Sequence, residues 1–289
     1  MSRIQDILAK AERDGTARRL SAAPPPAPAS PLAQVDGTSA LDTRAFVPSG
    51  LSAVGAAMGE ARAVTEMPAG PETVEARTAS ATLHPALVAA LAPHSPVAEQ
   101  YRAIRTRLAH REEHAPLRTV MITSPGTGDG KSVTAANLAL TMAQEIQRSV
   151  VLVDAVLRAP AADSLFGLDS APGLADVLAG TATLEDAIVY LPELNLSILP
   201  AGGAPQFPTE LLGSNAMRRT LDSLRARFDR ILLDVPAVAP LADVRTVAPL
   251  TDGVVMVVRA GVTQRPALEQ ALGAFEQGQV VGLVLNEAR

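Results

Sequence analysis

Cysteine is absent from the 289 residues, which excludes a disulfide framework, a thiol nucleophile and any thiolate metal site. Tryptophan is absent too, and aromatic residues make up 2% of the chain, so the core has to be built from aliphatic and alanine side chains. Four scattered histidines are too few and too dispersed for a structural zinc centre. No apolar run reaches the roughly 18 residues of a membrane-spanning helix. The opening stretch MSRIQDILAKAERD is charged and amphipathic, unlike a secretory leader. An excess of basic residues is also lacking: 25 Lys and Arg against 30 Asp and Glu give a net charge of −5. That balance argues against a protein that coats nucleic acid, because phosphate binding calls for a basic surface. What is present, 47% apolar residues, is enough to build the core of one large or two small domains. The expectation is a soluble, cytoplasmic protein without a transmembrane segment of its own and without a nucleic-acid partner.

The residues that are there fall into three parts. In 1–20, Ile4, Ile7, Leu8 and Ala11 recur at helical spacing behind Ser2, with Gly15 as a stop. This predicts a short amphipathic helix, which is either a docking element for a partner or a frayed terminus. Residues 21–94 open with SAAPPPAPASP and stay rich in Ala, Pro, Ser, Gly and Thr to about residue 80. With few large apolar side chains, such a stretch cannot offset the entropy of ordering and reads as a mostly disordered linker. From 95 to 289 the pattern changes to short apolar runs alternating with helical patterns. The runs are Thr119–Thr123, SVVLVD (149–154), LSILPAG (196–202), RILLDV (230–235), GVVMVV (253–258) and VVGLVLN (280–286). Helices are expected over VAEQYRAIRTRLAHREE, over about Lys131–Gln147, Ser214–Phe228 and Arg265–Gln277. This alternation predicts an α/β fold, a parallel sheet of the P-loop NTPase type covered by helices on both faces.

The segment MITSPGTGDGKSVTAANLAL (121–140) carries the most chemistry. A strand ends near Thr123, a loop with Gly126, Gly128 and Gly130 follows, and Lys131-Ser132 opens a helix. Glycines let backbone N–H groups close around phosphate oxygens, and the helix N-terminus adds partial positive charge. Gly126, Thr127, Gly128, Asp129, Gly130, Lys131, Ser132 and Val133 are therefore the expected nucleotide-binding residues. Lys131 reaches the terminal phosphates and the Ser132 hydroxyl ligates Mg²⁺ in such a loop. The strict pattern has glycine six residues before the lysine, where this chain has Pro125.

A P-loop also needs carboxylates on neighbouring strands to organise Mg²⁺ and the nucleophile. Two apolar runs end in aspartate, at Asp154 and Asp234, where α/β folds bind ligands. Both are candidate metal and catalytic residues together with Lys131. Asp243 is a weaker candidate that the N-cap of a following helix explains equally well.

Taken together, residues 95–289 resemble the bacterial tyrosine kinases of capsule and exopolysaccharide assembly. The loop SPGTGDGKS looks like that family's phosphate loop, and FDRILLDVPAV looks like its third acidic motif. SPVAEQYRAIRTRL holds Glu99, Arg102 and Arg105 at the spacing of the family's Glu-x-x-Arg-x-x-Arg helix, which joins subunits into rings. Three further stretches also read like family segments: GLADVLAGTATLEDAI (173–188), LSILPAGGAPQFPTELLGS (196–214) and LTDGVVMVVRAGVTQR (250–265). The resemblance implies ATP and Mg²⁺ as cofactors, a ring-like homo-oligomer, and a membrane-embedded polysaccharide co-polymerase as the activating partner. That partner would recruit the protein to the inner face of the cell membrane.

Two departures set the functional expectation. The family's second acidic motif is Asp-x-Asp-x-Arg, and here it reads Asp154-Ala155-Val156-Leu157-Arg158, with Val156 where the second carboxylate stands. Loss of a general base typically costs about 10²–10⁴ in rate, while nucleotide binding can survive it. Family kinases also phosphorylate a C-terminal tyrosine cluster. This sequence ends at Arg289 with only Tyr101 and Tyr190, so tail autophosphorylation is not expected. The leading expectation is an ATP-binding, kinase-like regulator of exopolysaccharide synthesis or export with weakened catalysis. The alternatives are a fully active tyrosine kinase acting on other proteins, with a carboxylate such as Asp163 replacing the lost one, and a positioning ATPase. The positioning ATPases carry a signature lysine where this chain has Gly126.

Overall fold

The computed structural model describes residues 77–112, 115–168, 172–239 and 243–286. The helix expected over 1–20 and the linker as far as residue 76 lie outside them. Every apolar run of the sequence becomes a strand of one sheet. In chain order the strands are β1 (Arg77–Thr78), β2 (Thr119–Thr123), β3 (Val150–Asp154), β4 (Val189–Leu191), β5 (Leu196–Leu199), β6 (Arg230–Asp234), β7 (Gly253–Arg259) and β8 (Val280–Asn286). All five residues of β2, β3 and β6 are buried. This is why these strands read as continuous apolar runs rather than as an alternation.

The strand order is β1-β4-β5-β3-β6-β2-β7-β8. Pairing is parallel from β5 through β8, as expected, but β4 runs antiparallel to β5. The reason is local. Only the 3₁₀ turn Pro192–Leu194 and Asn195, at φ +50°, separate the two strands, and so short a connection permits only an antiparallel pair. β1 then adds parallel to β4.

Helices cover both faces. On one side lie α1 (Val88–Leu91), α2 (Pro96–Glu112), α3 (Lys131–Ala143) and α4 (Ala162–Phe166). On the other lie α5 (Leu174–Ala179), α6 (Leu184–Ala187), α7 (Pro208–Leu212), α8 (Asn215–Arg227), α9 (Asp243–Val247) and α10 (Arg265–Leu272). Alternate residues of β2 divide between the two cores: Val120 and Ile122 join Leu138 and Phe166, while Met121 joins Leu221 and Leu224. The cores are aliphatic and alanine-rich, as the scarcity of aromatics predicts.

Two boundaries differ from expectation. Residues 77–94, assigned from composition to the linker, supply β1 and α1. Leu87 is fully buried, and the Ala89 N–H donates to Asn137 Oδ1 at 2.9 Å. A few well-placed aliphatic residues in a polar-looking stretch are enough to dock it. Helix α3 ends at Ala143 rather than near Gln147. Asn195 Nδ2 caps the Ala143 carbonyl at 3.0 Å, and Gln147 takes a left-handed φ of +60°. Among the described residues, no helix is long and apolar enough to cross a membrane.

Candidate functional site

The parallel strands β2, β3, β6, β7 and β8 deliver their exit loops to one edge of the sheet, where α/β folds bind ligands. The loop after β2 is stitched to the exit of β6. Thr123 Oγ1 donates to the Pro236 carbonyl (2.7 Å), and the Val238 N–H donates to the Ser124 carbonyl (2.8 Å). Ser124 Oγ in turn donates to the Gly126 carbonyl at 2.7 Å. Gly128 and Gly130 adopt φ of +84° and +93°, the left-handed region where a side chain is strained. Among the described residues, no hydrogen bond takes up the N–H groups of Gly128, Asp129, Gly130, Lys131 or Ser132. A row of unpaired N–H donors at the start of α3 is an anion cradle, and it fits the phosphates of a nucleotide.

Lys131 Nζ lies 3.0 Å from Ser132 Oγ and 3.6 Å from Asp234 Oδ1. Asp234 ends β6 and is only 4% exposed, and its Oδ1 is buried without a hydrogen bond. Its carboxyl is raised to about 7, chiefly by burial. Lys131 pulls it down, the Asp154 charge pushes it up, and hydrogen bonds from Ser132 and Lys131 lower it. An orphaned carboxylate oxygen beside a hydroxyl and a lysine is a donor set that suits Mg²⁺ together with phosphate oxygens. Ser132 and Asp234 are the residues that could hold the ion.

Asp154 ends β3, as expected, and is held by backbone donors. It is the register partner of Asp234 across β3 and β6, but both of its oxygens accept backbone N–H groups. Val156 donates to Oδ1 at 2.9 Å, and Ala161 and Ala162 donate to Oδ2 at 2.8 and 2.9 Å. Its carboxylate shapes the 155–161 loop and caps the start of α4, while its charge still raises the neighbouring Asp234 carboxyl. Val156 is buried. Asp163, in the first turn of α4, keeps one oxygen buried without a partner. Burial and the neighbouring Asp154 charge raise its carboxyl above the usual range. Arg158 turns to Thr209 (Nη2 to Oγ1, 2.9 Å) and to Asp243 (Nε to Oδ2, 3.6 Å), and Thr209 also bonds Asp243. Asp243 therefore ties α9 to α7.

The other predicted residues separate as well. On α2, Glu99 and Arg102 pair with each other at 2.9 Å on the exposed face. Arg105 points inward, donating to the Thr141 carbonyl (2.6 Å) and pairing with Glu145 (3.1 Å) at the end of α3. The three residues expected to form one assembly face are thus split, because Arg105 is used within the chain. Tyr101 is 4% exposed between α2 and α3, and burial pushes its phenol up. Tyr190 is only partly buried, and its hydroxyl reaches Asn195 Oδ1 at 3.3 Å, near the end of α3 opposite the loop.

Two residues at the site were missed by sequence reasoning. Thr263 Oγ1 donates to Asp129 Oδ1 (2.8 Å), and Asn286 Nδ2 donates to the Asp129 carbonyl (3.0 Å). The signal was the one that marked Asp154 and Asp234, a polar residue at or just beyond the carboxyl end of an apolar strand.

No protein-family model matches the chain. It is 34% identical over 202 residues to the tyrosine-protein kinase YwqD of Bacillus subtilis, covering 69% of this chain and 85% of that protein. It is 32% identical over 201 residues to the succinoglycan biosynthesis transport protein ExoP of Rhizobium meliloti, covering 68% of this chain and 25% of the relative. Among solved structures, the kinase domain of the Escherichia coli tyrosine kinase ETK superposes with a TM-score of 0.66 at 26% identity. That match covers 70% of this chain and 82% of the domain.

Proposed function

The chain belongs to the bacterial tyrosine kinases of capsule and exopolysaccharide assembly, and from that premise we propose that it binds ATP at residues 126–133 and serves as a kinase-like regulator of polymer synthesis or export. The observation that carries the reading is the Lys131–Ser132–Asp234 constellation beneath a loop of unpaired N–H groups. The loop amides hold the phosphate oxygens, and Lys131, kept extended between Ser132 and Asp234, offsets their charge. A bound Mg²⁺ would supply further neutralisation of the phosphates, held by Ser132 and Asp234. Val156 can accept no proton, so an attacking tyrosine hydroxyl lacks a base at that position and transfer is slow. The exposed Glu99–Arg102 pair is offered as the remaining assembly face, and a membrane-embedded co-polymerase as the activating partner. Relatives bearing names from polysaccharide transport support that partner class.

A second reading, a fully active kinase, is favoured by Asp163. Its buried, unpartnered oxygen and raised carboxyl, close to Asp154, are what a substitute general base would need. One experiment separates the two. Purified protein is incubated with Mg-ATP and the cytoplasmic segment of the membrane partner, and phosphotyrosine is read by mass spectrometry for wild type, Val156→Asp and Asp163→Asn. ATP bound by wild type, with phosphotyrosine arising only on Val156→Asp, supports the weakened regulator. Phosphotyrosine on wild type that is lost in Asp163→Asn supports the active kinase. Wild type that binds no ATP overturns both.

A further inference from the structure

An acidic residue inside an anion-binding loop needs a physical account. Asp129 sits between Gly128 and Gly130 and is almost fully buried. A carboxylate a few ångströms from phosphate oxygens would repel them, because like charges interact strongly where water is partly excluded. It also competes for the same N–H donors.

The structure accounts for it by turning the carboxylate away and occupying it. Asp129 Oδ2 accepts the Gly126 N–H at 2.8 Å, and Oδ1 accepts the Thr263 hydroxyl at 2.8 Å. The direction of the Thr263 bond is forced. A carboxylate oxygen can only accept, so the hydroxyl proton points to Asp129, while the Thr263 oxygen accepts the Arg259 N–H at 2.9 Å. From the next strand, Asn286 Nδ2 holds the Asp129 carbonyl, while the Asn286 carbonyl accepts the Ala260 N–H at 2.9 Å. The Asn286 amide also lies directly over Gly130, where an added Cβ would come within 2.0 Å of Nδ2. The exits of β7 and β8 thus grip the loop at its one acidic residue.

We propose that Thr263, supported by Asn286, is a positioning residue for the nucleotide site: it keeps the Asp129 carboxylate off the loop N–H groups so that they stay free for phosphate. The inference rests on reading residues 126–133 as the nucleotide site and adds the device that keeps the site open. Without the hydroxyl, the buried carboxylate loses one of its two donors. The unpaired N–H groups of Gly128–Ser132 belong to the same loop and are then open to it, and they are the donors that phosphate would use.

The test uses the full chain as wild type, Thr263→Val and Thr263→Ser. Three quantities are read: ATP affinity by calorimetry, the melting temperature without nucleotide, and hydrogen exchange of the segment spanning 121–133. Thr263→Val is expected to weaken ATP binding by about tenfold, the worth of a hydrogen bond to a charged group. Protection around Gly126 should fall while the melting temperature hardly moves, and Thr263→Ser should restore both binding and protection. A purely structural threonine would lower affinity only in step with melting, and that result overturns the proposal. So does a Thr263→Val protein with wild-type affinity and unchanged exchange. If wild type binds no nucleotide while Thr263→Val still loosens the segment, the nucleotide reading fails and the bracing of the loop stands.

Discussion

Asp154 and Asp234 are register partners at the ends of adjacent strands, yet their carboxylates stand in opposite conditions. Asp154 accepts three backbone N–H groups, whereas Asp234 Oδ1 is buried with only the Lys131 ammonium nearby, at 3.6 Å. Equivalent positions in the sheet therefore lead to opposite consequences on mutation.

Asp154→Asn should destabilise the protein. An amide can serve only one side of the 155–161 loop and turns an NH₂ group on the donors of the other. The expected cost is about 1–3 kcal/mol, read as a fall in the denaturation midpoint with an unchanged slope.

Asp234→Asn should do the reverse in the absence of nucleotide and metal. A carboxyl raised from 3.8 to about 7 binds its proton more tightly when folded than when unfolded. It therefore contributes stability that is fully present below pH 3.8 and lost as pH rises through 7. At about 1.4 kcal/mol per pKa unit the swing is of order 2–4 kcal/mol. Melting curves from pH 5 to 8 should fall for wild type and flatten for Asp234→Asn, which becomes the more stable protein at pH 8. Parallel curves for the two would refute this. The same variant should lose Mg²⁺-dependent ATP binding.

Lys131→Met should reduce ATP affinity by about 10- to 100-fold through loss of a charge-assisted contact to phosphate. It also leaves Asp234 without its cation, so the folded-state carboxyl should rise further. Calorimetric titration with ATP and ADP checks the affinity, and a loss confined to ATP would locate the lysine at the terminal phosphate.

Glu112 at the end of α2 makes a two-pronged ion pair with the buried Arg230 at the start of β6, and the Arg230 guanidinium holds the glutamate below its usual range. Glu112→Gln strands a buried cation and should cost about 1–3 kcal/mol, while Glu112→Leu combined with Arg230→Met should recover most of it. The contribution of a lowered carboxyl is present above its unfolded pKa and lost as pH falls through the folded one. The gap between wild type and Glu112→Gln should therefore close in acid, which denaturation midpoints at pH 3 and pH 7 would reveal.

Any phosphotyrosine formed on the folded chain should map to Tyr190, not Tyr101. The Tyr101 side chain is enclosed between α2 and α3, whereas the Tyr190 hydroxyl is held only by the exposed Asn195 contact. Because Tyr190 lies toward the end of α3 away from the phosphate loop, transfer to it should be intermolecular and depend on protein concentration. Peptide mapping of the phosphorylated protein decides the site, and modification of Tyr101 without unfolding would contradict the packing.

What the sequence by itself determined is whatever is encoded at short range. Six of the eight strands were legible because each is a short, mainly aliphatic run, and the phosphate loop because glycine, lysine and serine act within eight neighbouring residues. Asp154 and Asp234 were legible as strand-end carboxylates. Tertiary structure alone decided what these groups do, because their partners lie far along the chain or depend on how a loop closes. The fold of the 155–161 loop gave the Asp154 carboxylate three backbone N–H donors that the sequence did not announce. The approach of α3 drew Arg105 onto the Thr141 carbonyl and Glu145, and it enclosed Tyr101. Pairing of β7 and β8 beyond β2 brought Thr263 and Asn286 onto Asp129, 134 and 157 residues away in sequence. Periodicity and motif spacing carry no record of such contacts, since they arise only when separate strands are brought into one sheet.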